Sequence, residues 1–412
     1  MFSLNRYTRG HSREKKPHAP ARPEFRNTSG LPDAFPAPVG TARTIRPTIA
    51  SFLQMLAVLF AILALGPGCS REEDKAPPVT GPRSPAEESR ATEQPATAIL
   101  RVLCKPEFLP ETLLAEFTAL TGVAVIVANP SDHPDLAASG ASFDLALVDS
   151  LSLSLLIDEG ALTPIDPASI PNIVNISPLF SADPFDPDGV FSVPFLWGTF
   201  GIAFNRDVVT GPDIEWEILF DRTFSGKIDM PDDIRLIVEA ALRDLGTFLG
   251  EADTDTLNLV ADRLLEQRKI VRGYFQIPEI VDHLADNSTY ISFLDGPSAF
   301  SAIEINPAVE YIVPASGTPL WLLVWVIPAG SENADAARRL IDFLLDPKRI
   351  AAVSNAAGVA NTVGGSRPYL DAGLVQMPTI ILSDDLLDRC RLPGPIDLET
   401  ENFIMRLKDD FM

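Results

Sequence analysis

The longest apolar run in this chain is Phe191-Ser-Val-Pro-Phe-Leu-Trp-Gly-Thr-Phe-Gly-Ile-Ala-Phe-Asn205, interrupted at its middle by Trp197-Gly198. It exceeds one ordinary strand, and Gly beside Trp predicts a backbone that pairs in one sheet over its first half and in another over its second. That is the pattern of a hinge strand between two lobes; a single buried strand with a Gly bulge fits it equally. Upstream, Ile99 to Leu103, Val123 to Val127 and Phe143 to Val148 read as strands. Between the first two, Pro110 to Leu120 carries Leu113, Leu114, Phe117 and Leu120 at helical spacing and stops at Gly122. Leu151 to Glu159 reads as a short helix stopped by Gly160. The opening of the folded part is therefore α/β, with helical crossovers.

Beyond the long run, Asp232 to Leu245 reads as a helix with Pro231-Asp232-Asp233 at its start and Gly246 after its end. Thr256 to Leu265 is a second amphipathic helix, and Tyr290 to Leu294 a strand that stops at Asp295-Gly296. Leu320 to Ile327 is a second apolar run placed to cross between lobes, followed by a helix from Ala334 to Leu345 closed by Asp346-Pro347.

The amino-terminal part has another character. Residues 1–50 are rich in Arg, Pro, Gly and Ser with no apolar period, the composition of a disordered leader. Residues 51–69 follow Arg43 and Arg46 with an uncharged apolar core too short for a comfortable membrane span, and end in Gly66-Pro67-Gly68-Cys69. This segment resembles a bacterial lipoprotein signal with Cys69 as the lipidated residue, although Leu65 stands one place earlier than such a signal has it. Cleavage without lipidation, or a retained anchor, fits the same residues. Residues 70–97, rich in Pro, Glu, Ser and Thr, read as a flexible tether.

Charge narrows the function. The formal charge is −23, and residues 1–68 hold nine Lys and Arg against three Asp and Glu, so the chain from Cys69 onward carries −29. Such a chain repels nucleic acid, and none is expected as a partner. Cys69, Cys104 and Cys390 have no metal or redox spacing, and no metal or cofactor is expected. His11, His18, His133 and His283 form no pair at ligand spacing, and no nucleophile elbow, phosphate loop or dinucleotide fingerprint occurs. Catalysis is thus a distant alternative and no catalytic residue is nominated.

The ordered series Leu109-Pro110-Glu111 to Thr121-Gly122, Phe143-Asp144-Leu145, Glu159-Gly160, Val193-Pro194-Phe195-Leu196-Trp197-Gly198, Ile202, Asn205, Asp232-Asp233, Ile327-Pro328-Ala329 and Ile341 to Pro347 resembles the periplasmic spermidine/putrescine-binding proteins. The similarity spans nearly all of residues 98–365. It implies a two-lobe periplasmic binding protein fold of type II, hinged by crossing strands, with a solute trapped between the lobes and delivered to an ABC permease. It also implies one lobe from 98–197 and 322–366, the other from 198–321 and 367–412, and a hinge at Trp197 and Gly198. With the signal-like segment, an extracytoplasmic monomer anchored through Cys69 is expected. A sensor or interaction protein built on the same fold is the alternative.

Carried across position by position, the family's site falls on Asp233 as an amine-binding carboxylate, on Trp321 as an aromatic wall, and on Phe108 where a Tyr is usual. Lys105 replaces a Trp, Leu236 and Leu323 replace two carboxylates, Leu151 replaces a Tyr, Leu294 stands at a pocket Trp, and Asp149 replaces a Ser. A lysine in the cleft opposes a polycation by about 1 to 4 kcal/mol. Lys105, Asp149 and Asp233 together therefore suit a small amine-containing or zwitterionic solute. The same residues also have local readings: Asp149 and Asp233 as helix caps, Lys105 as a solvated loop residue, and Trp321 as core.

Overall fold

The computed structural model describes residues 98–132, 142–211, 213–375, 377 and 380–411. The leader, the signal-like segment with Cys69, the tether and His133 lie outside the described residues. Among those described, no helix is long and apolar enough to cross a membrane.

The first strand, Ile99–Leu103 (β1), pairs parallel with Ala124–Ala128 (β2) and with Leu145–Asp149 (β3). The helix Glu111–Thr121 joins β1 to β2. It starts after Pro110 and ends at Gly122, whose φ of 72° is the left-handed cap that glycine adopts without strain. Leu113 and Phe117 are buried from this helix, but Leu120 is 65% exposed because the apolar stripe is narrower than its spacing suggests.

The long apolar run forms one strand, Ser192–Asn205 (β4). It changes partner at its middle. Ser192 to Thr199 pairs antiparallel with Leu320–Val326 (β9), whereas Phe200 to Phe204 pairs antiparallel with Ile291–Asp295 (β7). The remaining strands are Ile228–Pro231 (β5), Gly273–Phe275 (β6), Val309–Ile312 (β8) and Ala360–Asn361 (β10). The strand order is β2-β1-β3-β9-β4-β7-β5-β6, with β8 and β10 also on β4.

β9 lies wholly between β3 and β4, so it does not itself cross as its apolar run suggested. The second crossing comes just before it, where the Phe200 N–H donates to the Pro319 carbonyl at 3.2 Å.

Each half of β4 is buried in its own core. The first core takes Leu100, Phe117, Leu145, Phe195 and Trp325; the second takes Ile202, Trp216, Met230, Val238 and Phe293, with a smaller satellite around Leu294 and Tyr311. The carboxy-terminal stretch divides differently from the expected grouping of 367–412 with the second lobe. Leu374, Ile380 and Cys390 are buried in the first core, and among the described residues of this stretch only Ile396, Phe403, Ile404 and Leu407 pack on the second. Residues 391–396 are therefore a third crossing. Cys104 and Cys390 are separate buried thiols.

Candidate functional site

Several strands end at the junction of the two cores, and their carboxyl ends carry the polar residues of a cleft. β1 runs into Lys105 and a short turn, Pro106–Phe108, which swings Phe108 back into the core and leaves the Lys105 ammonium 5.8 Å from its ring centroid. β3 ends in Asp149, whose Oδ1 accepts the Leu151 N–H at 2.8 Å and so caps the turn after the strand. β7 ends in Asp295. Its two oxygens accept the Ser298 N–H at 3.0 Å and the Ser298 hydroxyl at 2.7 Å at the head of the helix Gly296–Ile305. A crevice beyond the carboxyl ends of strands, where strand order switches, is the usual ligand position in open α/β sheets.

These ends enclose a cavity of about 590 Å³, with Lys105, Glu107, Asp149 and Asp295 on its polar wall and Phe108, Phe200 and Trp321 on its aromatic one. Three carboxylates thus face one ammonium. A second hollow of about 580 Å³ continues from Lys105, Glu107 and Ser298 toward Asn355 and Asp371. Burial is the main force raising the Asp149 carboxyl above its ordinary value; the Leu151 N–H opposes it, and the charges of Asp183 and Asp233 raise it further.

Trp321 faces Gly198 across the β4–β9 ladder, and a Cβ on Gly198 would lie 2.3 Å from Trp321 Cζ2. The absent side chain is what lets the indole lie against the strand. Trp197 points into the first core, where its Nε1–H donates to the Asn361 carbonyl at 2.9 Å and its ring meets Phe180 at 5.0 Å.

Of the nominated ligand residues, the cavity gathers Lys105, Phe108, Asp149 and Trp321 but not Asp233 or Leu151. Asp233 caps its helix, accepting the Arg235 and Leu236 N–H groups at 2.8 and 3.2 Å, and only its charge reaches Asp149. Leu151 is 41% exposed, because it is its amide that turns to Asp149. Leu323 lines the cavity, whereas Leu294 is buried in the satellite core. Glu107, Phe200 and Asp295 are lining residues that the sequence reading missed. The available signal for Asp295 was its place directly after an apolar strand and before Gly-Pro-Ser, the same strand-end position that Asp149 holds. Among the described residues no group of three or more His, Cys, Asp or Glu is placed to hold a metal ion.

The profile of the bacterial extracellular solute-binding proteins matches residues 131–370. This chain belongs to that family. Among curated relatives, the spermidine/putrescine-binding periplasmic protein of Escherichia coli is 26% identical over 280 residues, covering 66% of this chain and 78% of its own length. A putrescine-binding periplasmic protein of the same organism is 23% identical over 327 residues, covering 74% of this chain and 85% of its own. Among solved structures, the substrate-binding protein of a spermidine/putrescine ABC transporter from Streptococcus pneumoniae superposes with a TM-score of 0.70. It is 23% identical and covers 76% of this chain and 98% of its own. The two-lobe fold is thus that of periplasmic binding proteins, and the protein is an extracytoplasmic solute-binding protein. The family is one of transport proteins.

Proposed function

We propose that this solute-binding protein captures a small solute with an amine at one end and a second polar group, an amino acid or a substituted monoamine, rather than an extended polyamine. The observation that carries this reading is the cavity wall of Glu107, Asp149 and Asp295 against the single Lys105. Carboxylates beside aromatic faces suit an ammonium, which is drawn both to the charge and to the ring quadrupole. Lys105 beside Phe108 suits an acidic or hydroxyl group and opposes a second ammonium. Asp149 is the principal amine partner, and Asp233 acts on it through charge alone. Trp197 and Gly198 belong to the hinge, and closure around the solute is favoured because the ligand touches both lobes at once.

The lobes of this reading are 98–197 with 322–392, and 198–321 with 396–411, following the two cores rather than the expected break at 366. The closed form is delivered to a membrane permease by a monomer tethered through residues 70–97 and acylated at Cys69. Mass spectrometry of the amino-terminal peptide tests the acylation.

The test of the ligand class is a thermal-shift screen of the purified chain against monoamines, amino acids, polyamines and oxyanions. Monoamines or amino acids are expected to raise the melting temperature saturably. Spermidine or putrescine as the best ligand would overturn the role given to Lys105, and an oxyanion as the best ligand would overturn the role given to the three carboxylates.

A further inference from the structure

The second hollow shares Lys105, Glu107, Pro297, Ser298 and Ala357 with the first, so the two are arms of one branched cleft. The inner arm holds Asp149, Asp295 and Trp321. The outer arm lies between the first turns of the helix Gly296–Ile305 on one side and, on the other, the end of the helix Pro347–Ala357 with Asp371, Leu374 and Met377. Each arm, at about 580 to 590 Å³, falls within the range of about 300 to 1,000 Å³ that holds drug-sized ligands. A solute with its ammonium and its anion on neighbouring atoms and nothing more would leave the outer arm empty.

The outer arm favours a cation on two separate grounds. Asp371 is exposed on its wall, and among the described residues its carboxylate has no hydrogen-bond or ion-pair partner. The Asp371 main-chain N–H donates to the Asn355 side-chain oxygen at 2.9 Å, which ties the residue to the helix end beside it. That helix end is the second ground. Asn355, Ala356 and Ala357 form the last turn of an 11-residue helix and line the arm, and the turn holds no basic side chain. The carbonyl end of a helix carries partial negative charge that a cation offsets. Phe300, Leu374 and Met377 supply apolar surface in the same arm, against which methylenes can lie.

Resting on the reading of the cleft as a site for one amine and a second polar group, we propose that the solute is a basic amino acid. Its α-ammonium meets Asp149 and Asp295, its α-carboxylate meets Lys105, and its side chain runs down the outer arm to place a second cation between Asp371 and the carbonyl end of the helix Pro347–Ala357. Four carboxylates, Glu107, Asp149, Asp295 and Asp371, against one ammonium favour a solute of net positive charge, while Lys105 opposes one that is purely cationic. A diamine brings no anion to Lys105, and a neutral amino acid leaves Asp371 unmatched.

The test is isothermal titration of the full chain with L-lysine, with L-norleucine, which lacks its side-chain ammonium, and with cadaverine, which lacks its carboxylate. Lysine should bind saturably and about tenfold or more tightly than either, the effect of one charged hydrogen-bonding partner. Asp371→Asn changes one exposed charge and keeps the main-chain bond to Asn355; it should reduce the preference for lysine over norleucine by about fivefold or more. Norleucine binding as tightly as lysine, or a preference that Asp371→Asn leaves unchanged, overturns the assignment of the outer arm and leaves the reading of the inner arm standing. Absence of saturable lysine binding overturns the proposal whatever other amine the cleft accepts. Cadaverine as the tightest of the three overturns both the proposal and the reading on which it rests.

Discussion

Asp149 carries the clearest titration consequence. Its carboxyl is raised above the ordinary value by burial and by the charges of Asp183 and Asp233, and an incoming ammonium would lower it again. The ligand then prefers the ionised form, so affinity should rise with pH through the raised value and binding should release a proton; calorimetry in buffers of different ionisation enthalpy measures that release. The sign for stability is opposite. A carboxyl raised in the folded state lets the native protein bind more protons, so its contribution is present at low pH and lost as pH rises through the folded value. Asp149→Asn should weaken amine binding by about 1.5 to 3 kcal/mol, the range for a hydrogen bond to a charged group, and remove the proton release. Asp233→Ala separates a cap from a ligand contact. It should cost about 0.5 to 2 kcal/mol of stability through loss of the cap. Its effect on amine binding should be smaller than that of Asp149→Asn, as paired denaturation and titration curves would reveal.

Elements show why one glycine matters where β4 changes partner. β4 changes ladder immediately after Thr199, and the residue before that, Gly198, is the one against which Trp321 lies. Gly198→Ala would put a methyl 2.3 Å from the Trp321 ring carbon Cζ2, so the indole must leave the strand or the ladder must spread. Overpacking of this kind typically costs about 1 to 3 kcal/mol. Chemical denaturation is expected to show that loss, and Trp321→Leu added to Gly198→Ala should recover part of it; if the double substitution is no more stable than Gly198→Ala alone, the contact is not what requires the glycine.

Helix boundaries behave in a related way. Asp346-Pro347 was expected to close the helix ending near Leu345, and it does. It also opens the next helix, Pro347–Ala357, with Asp346 accepting two amides at 3.1 Å and proline at the first position. Proline that cannot continue one helix is well suited to begin another, and local pattern alone does not distinguish stop from start.

At the scale of the molecule, the described residues form two cores joined by three strand or loop crossings, at Thr199 to Phe200, at Pro319 and at residues 391–396. A ligand that bridges the cores should close them. Small-angle scattering should report a smaller radius of gyration on adding ligand near its dissociation constant, and a much smaller decrease with the Asp149→Asn protein at the same ligand concentration. Ligand at a hundred times its dissociation constant should add about 2.7 kcal/mol to stability.

The sequence by itself determined the local elements wherever period and punctuation agree: β1, the helix Glu111–Thr121 with its Gly122 cap, the partner-changing β4, and the helices beginning at Ile234 and Ala334. These are short-range properties of side-chain spacing and capping. The weakly patterned pieces were not legible: β5, β6 and β8 are three or four residues long, too short for an alternation to stand out. Only tertiary structure decided which polar residues meet. Asp149, Asp233 and Asp295 look alike along the chain, each near a strand end and each capping the turn or helix next to it. Two of them line the cavity and one does not, because the pairing of β3 and β7 with the shared neighbours β9 and β4 turns their ends toward one crevice. The same long-range pairing brings Lys105 and Glu107 from the first turn to that cavity.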